Sequence, residues 1–115
     1  MSKKGRDGET AAAFLLEEKG MKILERNFRS RSGEIDIIAM DKDIIIFIEV
    51  KTWSAYGIDA LEYSINDKKR QKIIETSKYF LSLHREYKYM AIRFDIIFIS
   101  PAGITHLASA FTEGV

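Results

Sequence analysis

Apolar residues recur along this chain in two rhythms. Ala12, Ala13 and Leu16 repeat at helical spacing, with Gly20 placed to stop a helix and Asp7 placed to cap its start. Glu9 falls three and four residues before Ala12 and Ala13 and shares their inward face, while Glu17, Glu18 and Lys19 lie toward water. A second helical stripe, Ile73, Ile74, Ser77, Phe80, Leu81 and His84, predicts a long helix capped by Ser64 or Asn66. Elsewhere the pattern is that of strands. Met21 to Phe28, Glu34 to Met40 (EIDIIAM), Ile44 to Lys51 (IIIFIEVK) and Ala91 to Ile99 (AIRFDIIFI) are β-branched, apolar and of strand length. Asp41-Lys42-Asp43 is a short polar turn that makes a hairpin of the second and third strands, and Pro101-Ala102-Gly103 turns the chain toward a last element of undecided type, Ile104 to Phe111. Thr52 to Ser64 reads as a loop, and residues 1–6 as a loose basic end.

The order helix, three strands, helix, strand predicts a single α/β domain over residues 1–115, with a mixed central sheet covered by helices. The third strand is apolar at both alternations and belongs at the centre, buried on both faces. At 115 residues with 46% hydrophobic and 30% charged positions, the chain has room for one core and little reason for disorder. No cysteine is present, which removes disulfides, thiolate metal sites and cysteine nucleophiles. The longest apolar run, Ile44 to Ile48, is far short of a membrane span, and no apolar stretch of signal-peptide length follows the basic N-terminus, so the expected home is the cytoplasm. A net charge of +1 leaves polyanion binding to local clusters.

One hairpin carries charges where its rows are otherwise apolar. Strand alternation puts Ile45, Phe47, Glu49 and Lys51 on one face, and Glu34, Asp36, Ile38 and Met40 on one face of the neighbour. A two-residue turn at Lys42-Asp43 sets Asp36 opposite Glu49; a three-residue turn would throw Asp36 to the other side. Facing carboxylates repel, and burial raises their pKa values, but a hard divalent cation reverses both costs. Asp36 and Glu49, with the backbone carbonyl of Val50 as a third oxygen, form a candidate site for Mg²⁺ or Mn²⁺, and Lys51 follows on the same face. Such a set suits phosphodiester hydrolysis, Lys51 orienting the attacking water and Glu9 touching the metal through water or holding the water. The alternative reading is a structural salt bridge at the sheet edge, Lys51 pairing with Glu49 or Asp36.

At these residues the sequence resembles a known group. Gly33-Glu34-Ile35-Asp36-Ile37-Ile38-Ala39 followed by Phe47-Ile48-Glu49-Val50-Lys51-Thr52 resembles the PD-(D/E)XK, or restriction-endonuclease-like, superfamily, and more closely the YraN family of small bacterial proteins similar to Holliday-junction resolvases. Gly8-Glu9, Leu24-Glu25-Arg26-Asn27, Tyr56-Gly57, Lys69 and Lys72, Arg93-Phe94-Asp95 and the His106 to Phe111 ending match that family's pattern. Trp53 stands where the family often has arginine, and Ile35 where the superfamily has proline before the aspartate; neither removes a ligand. The resemblance implies a restriction-endonuclease-like αβββαβ core, metal ligands Asp36 and Glu49, catalytic Lys51 and first-helix Glu9. It also implies action on DNA, branched, flapped or single-stranded, in repair or recombination, and a symmetric homodimer as in related resolvases. A non-catalytic module for nucleic acid or protein, keeping the same fold, is the competing expectation.

Other charges add to this picture. Lys68, Lys69, Arg70 and Lys72 form the densest basic cluster and either contact phosphates from the start of the long helix or simply face water. Arg26, Arg29 and Arg31 would extend a phosphate track. Arg93 and Asp95 point the same way on their strand and read as an ion pair, while His84 and His106 read as isolated structural or surface residues. Trp53 and Tyr56 would stack on bases or pack on the sheet, and Tyr79, Phe80, Tyr87 and Tyr89 read as core and rim.

Overall fold

The computed structural model describes residues 3–52 and 66–112, with side chains from residue 8 onward. The predicted caps and aromatics at Ser64, Trp53, Tyr56 and Gly57 lie outside the described residues. Helix α1 (Lys3–Glu18) is followed by strands β1 (Lys22–Arg29), β2 (Glu34–Asp41) and β3 (Ile44–Thr52), helix α2 (Asp67–Leu83), a short 3₁₀ turn (Arg85–Tyr87), and strands β4 (Ala91–Ser100) and β5 (Gly103–Phe111). The five strands form one mixed sheet in the order β1-β2-β3-β4-β5, parallel only between β3 and β4. β3 is therefore central, as its doubly apolar sequence requires. The undecided last element is a strand on the open edge.

Helix α1 begins at Lys3, so the basic end is mostly helical and Asp7 lies inside the helix instead of capping it. Lys3, Lys4 and Arg6 are good helix formers and extend the helix past the cap that the pattern suggested. Its other end follows the sequence. Gly20 takes φ +92°, its N–H donates to the Glu17 carbonyl at 3.0 Å, and the Met21 N–H donates to the Leu16 carbonyl at 3.0 Å. This double bond set is the Schellman stop that glycine alone adopts without strain. At α2 the Asn66 side chain accepts from the Lys69 N–H at 2.9 Å, a regular N-cap.

The helices lie on opposite faces of the sheet. Ala12, Ala13 and Leu16 of α1 pack with Ile37, Ala39, Ile46, Ile48 and Ile97. On the other face, Ile73, Ile74 and Phe80 of α2 pack with Ile38, Ile45 and Phe47 and with an aromatic layer of Phe28, Phe94 and Phe111. Phe80 meets Phe28 edge-on at 5.2 Å and Phe47 at 5.9 Å. At about 25 cal/mol per Å² of apolar surface, these two layers supply the main stabilisation. No helix among the described residues is long and apolar enough to cross a membrane.

Candidate metal and phosphate site

The site is created by the hairpin register. Asp41 pairs with Ile44 across a two-residue turn in which Lys42 adopts φ 57°, and the ladder runs down to Ile37 opposite Ile48. One more step sets Asp36 against Glu49, but there the strands part. The Val50 N–H, instead of bonding backbone, donates to Asp36 Oδ2 at 2.7 Å. The same position is disturbed from the other side. β1 pairs Arg26 with Ile37 and Phe28 with Ile35, so Asn27 lies across from Asp36, and Asn27 takes the left-handed φ of 55°. Around this kink the alternation fails: Ile35 belongs to the α2 layer and Ile37 to the α1 layer. Asp36 thus occupies a fork in the sheet, which is why a 9%-exposed carboxylate can open on a cavity.

That cavity, about 190 Å³, is lined by Gly33, Glu34, Asp36, Glu49, Lys69, Lys72 and Ile73. It lies on the α2 side, where the row Ile45, Phe47, Glu49, Lys51 emerges from the core. Glu49 Oε1 is 3.3 Å from Lys51 Nζ and 3.5 Å from Lys69 Nζ. Burial, then the Glu49 charge, push the Asp36 carboxyl from 3.8 up to about 7, against the pull of the Val50 N–H. Burial, then the adjoining Lys69 ammonium, pull Lys51 below the usual lysine value, although Glu49 opposes this. The predicted edge pairing of Lys51 with Glu49 is therefore present, and among the described residues it leaves Asp36 without a paired cation.

Glu9 reaches the same end of the sheet from the α1 side. It is 5% exposed, 3.9 Å from Arg26 and within the field of Asp36 and Glu49. Burial raises its pKa, opposed by a hydrogen bond with Asn27 and by Arg26. Its Oε1 is buried and accepts no hydrogen bond from the described residues. Among the described residues no three carboxylate or imidazole groups converge on one point. The donors at hand are thus Asp36, Glu49 and the Val50 carbonyl, which leaves the strand on the same side as the N–H that meets Asp36. Hard oxygens with the remaining positions given to water are the coordination Mg²⁺ favours, so the residues fit that ion.

Of the basic cluster, Lys69 and Lys72 face this cavity and Lys68 borders the adjoining hollow. Arg70 does not join them. It leans 5.8 Å over the Phe111 ring and pairs with Asp67 at 3.7 Å. Two roles lie outside what the sequence indicated: the pairing of Lys69, expected only as a phosphate contact, with Glu49, and the part played by Asn27. Lys69 is the second cation on Glu49, which the N-cap register alone could not place. Asn27 shapes the fork, and its signal was an asparagine, a residue tolerant of left-handed backbone, in mid-strand.

Comparison with known proteins identifies the family. The profile of the uncharacterised protein family UPF0102 matches residues 8–99. The chain belongs to the UPF0102 family. Among its relatives, a UPF0102 protein of Treponema denticola is 43% identical over 98% of both chains. One from Persephonella marina is 47% identical over 94% of this chain and 92% of the relative. UPF0102 is the YraN family that the motifs resemble, and the five-stranded mixed sheet between helices is consistent with a restriction-endonuclease-like core.

Proposed function

We propose that this UPF0102 chain is a Mg²⁺- or Mn²⁺-dependent nuclease that hydrolyses DNA phosphodiester bonds, on branched, flapped or single-stranded substrates, in repair or recombination. The observation that carries the reading is Asp36: a carboxyl raised to about 7 by burial and by Glu49, open to a cavity that it shares with Glu49, itself 3.3 Å from Lys51. A buried acid pair of this kind is costly unless a cation joins it.

In this reading Asp36, Glu49 and the Val50 carbonyl hold the divalent ion. When bound, the ion supplies a water of lowered pKa and countercharge for a non-bridging phosphate oxygen. Lys51 leaves its contact with Glu49 to orient the attacking water and to offset charge as the phosphorus gains that oxygen and loses the sugar oxygen. Glu9 Oε1, which takes no donor among the described residues, accepts a hydrogen bond from water at the fork. Lys69 and Lys72 hold the flanking phosphates. Labelled branched and linear DNA incubated with Mg²⁺ or Mn²⁺ tests this. Cleavage that disappears with Asp36→Ala is expected; no cleavage, or equal cleavage by Asp36→Ala, overturns it.

One observation favours a second reading. Two lysines already neutralise Glu49, as in a site that has exchanged its metal for an internal cation. A non-catalytic nucleic-acid or protein-interaction module would bind without cutting, and its affinity would respond to Lys68 and Lys69 but not to Asp36.

A further inference from the structure

The cavity at Asp36 and Glu49 continues along α2 as a groove. Lys72 lines both that cavity and the next hollow, of about 470 Å³, which also touches Arg31, Ser32 and Lys68. Arg31 and Ser32 in turn line a third hollow of about 340 Å³, completed by Arg29, Ser30 and Tyr79. One wall is α2; the other is the four-residue turn between β1 and β2.

This wall is fixed. The Ser30 N–H donates to the Gly33 carbonyl at 2.8 Å, and Ser30 Oγ donates to Thr76 Oγ1 at 3.2 Å, tying the turn to the helix. Gly33 supplies the backbone the turn needs: its φ of +156° is one that residues with a side chain rarely adopt, while a Cβ there would make only ordinary contacts with Lys72 and Thr76. Along the groove cations prevail in a protein of net charge +1. Arg31, Lys68 and Lys72 are exposed, Arg29 is paired with Glu34 at 2.6 Å, and Glu75 is the acid opposing them. At the far end stands Tyr79, about 10 Å beyond Lys72 along the helix axis. Its ring centroid lies 6.0 Å from that of Phe28 and the residue is 47% exposed, so a core aromatic holds it while it borders the hollow.

We propose that this groove binds an unpaired nucleic-acid strand, one base stacking on Tyr79 and the phosphates passing Arg31, Lys68 and Lys72 toward Asp36 and Glu49. The inference builds on the nuclease reading by naming its substrate class. A duplex keeps its base faces inside its own stack, whereas an unpaired strand offers each face to an aromatic ring and its backbone to a line of cations. Electrostatics draw the phosphates and Tyr79 supplies the preference for the unpaired form.

Fluorescence anisotropy of the full chain, in EDTA, with labelled oligothymidylate and with a blunt duplex of equal length, separates the possibilities. Tyr79→Ala is expected to weaken oligothymidylate binding about tenfold or more and to leave duplex binding unchanged, while Tyr79→Phe retains both. Arg31→Glu, on the exposed turn and away from the core, is expected to weaken oligothymidylate with no change in circular dichroism. Oligothymidylate affinity unchanged by both Tyr79→Ala and Arg31→Glu, or equal losses on both probes for Tyr79→Ala, overturns the groove. If Tyr79→Ala fails to fold, photocrosslinking of 5-iodouridine oligonucleotides to the unaltered chain decides: adducts at Tyr79 support the site, and adducts only elsewhere overturn it. Because EDTA removes cleavage from the measurement, Tyr79-dependent binding by a chain that never cuts sinks the nuclease reading and leaves the groove. Cleavage together with oligothymidylate binding indifferent to both Tyr79→Ala and Arg31→Glu sinks the groove alone.

Discussion

Asp36 and Asp95 are both buried acids, on the two strands that flank β3, with relative exposures of 9% and 1%. Their surroundings are opposite. Asp95 accepts from Arg93 Nε and Nη2, each at 2.8 Å, and from the Ser109 N–H at 2.9 Å, and its Oδ2 lies 2.7 Å from His106 Nε2. Burial alone would raise its pKa, but these bonds and the arginine charge prevail and hold it below the usual value. Asp36 takes one backbone N–H and faces another carboxylate, and it is raised to about 7. A fully bonded acid is part of the framework; a buried acid short of partners beside a cavity has the character of a ligand. The same comparison corrects the reading of His106 as isolated: its ring bridges Asp95 to Lys19, whose Nζ lies 2.7 Å from Nδ1.

The largest effect expected from breaking this contrast is on chemistry. Asp36→Ala and Lys51→Ala should each lower DNA cleavage on the order of ten-thousandfold, as loss of one member of a catalytic unit does, and Asp95→Asn in folded protein should leave the chemical step nearly intact. Single-turnover cleavage measures this. Stability should answer in the reverse sense. Asp95→Asn, which strands Arg93 and His106, should cost about 3–5 kcal/mol in urea unfolding.

The two acids should also respond oppositely to pH. The folded Asp36 pKa of about 7 lies above the ordinary 3.8, so the native state keeps a proton that the unfolded chain has lost. Metal-free stability should therefore fall as pH rises from about 4 to 7, by on the order of 2–4 kcal/mol. Mg²⁺ should restore it, and Asp36→Asn should abolish the Mg²⁺ response and most of the slope in urea melts, the raised Glu9 keeping the remainder. Asp95, lowered below 3.8, contributes fully above about pH 4 and loses its contribution as pH falls through its folded value. The smallest effect sharpens the framework side. Lys19→Ala removes one exposed donor from His106 and should cost less than about 1 kcal/mol by the same melts.

Much of the fold was legible because it depends on short-range patterns. The apolar rows of β2 and β3, the two-residue hairpin, the Gly20 stop and the Asn66 cap each follow from a few neighbouring residues. The helix start misled, since basic residues ahead of Asp7 extend α1 to Lys3. Of the candidate site, Asp36, Glu49, Val50 and Lys51 lie within one hairpin, where counting residues is enough to bring them together. Lys69 and Glu9 come from helices on opposite faces, and Arg70 turns away to Phe111. Their side chains follow from how each helix docks, which no local pattern encodes.

The sequence by itself determined both helices, the first four strands and their order, the central place of β3 and the two-residue hairpin that carries Asp36 and Glu49 toward one end of the sheet. Only the tertiary structure decided that the sheet forks at Asp36, that Lys69 shares Glu49 with Lys51, and that Asp95 is clasped while Asp36 is not. The physical reason is range. Periodicity and turn length act over a few residues, whereas burial, charge pairing and the desolvation that shifts a pKa depend on whatever the rest of the chain brings within a few ångströms.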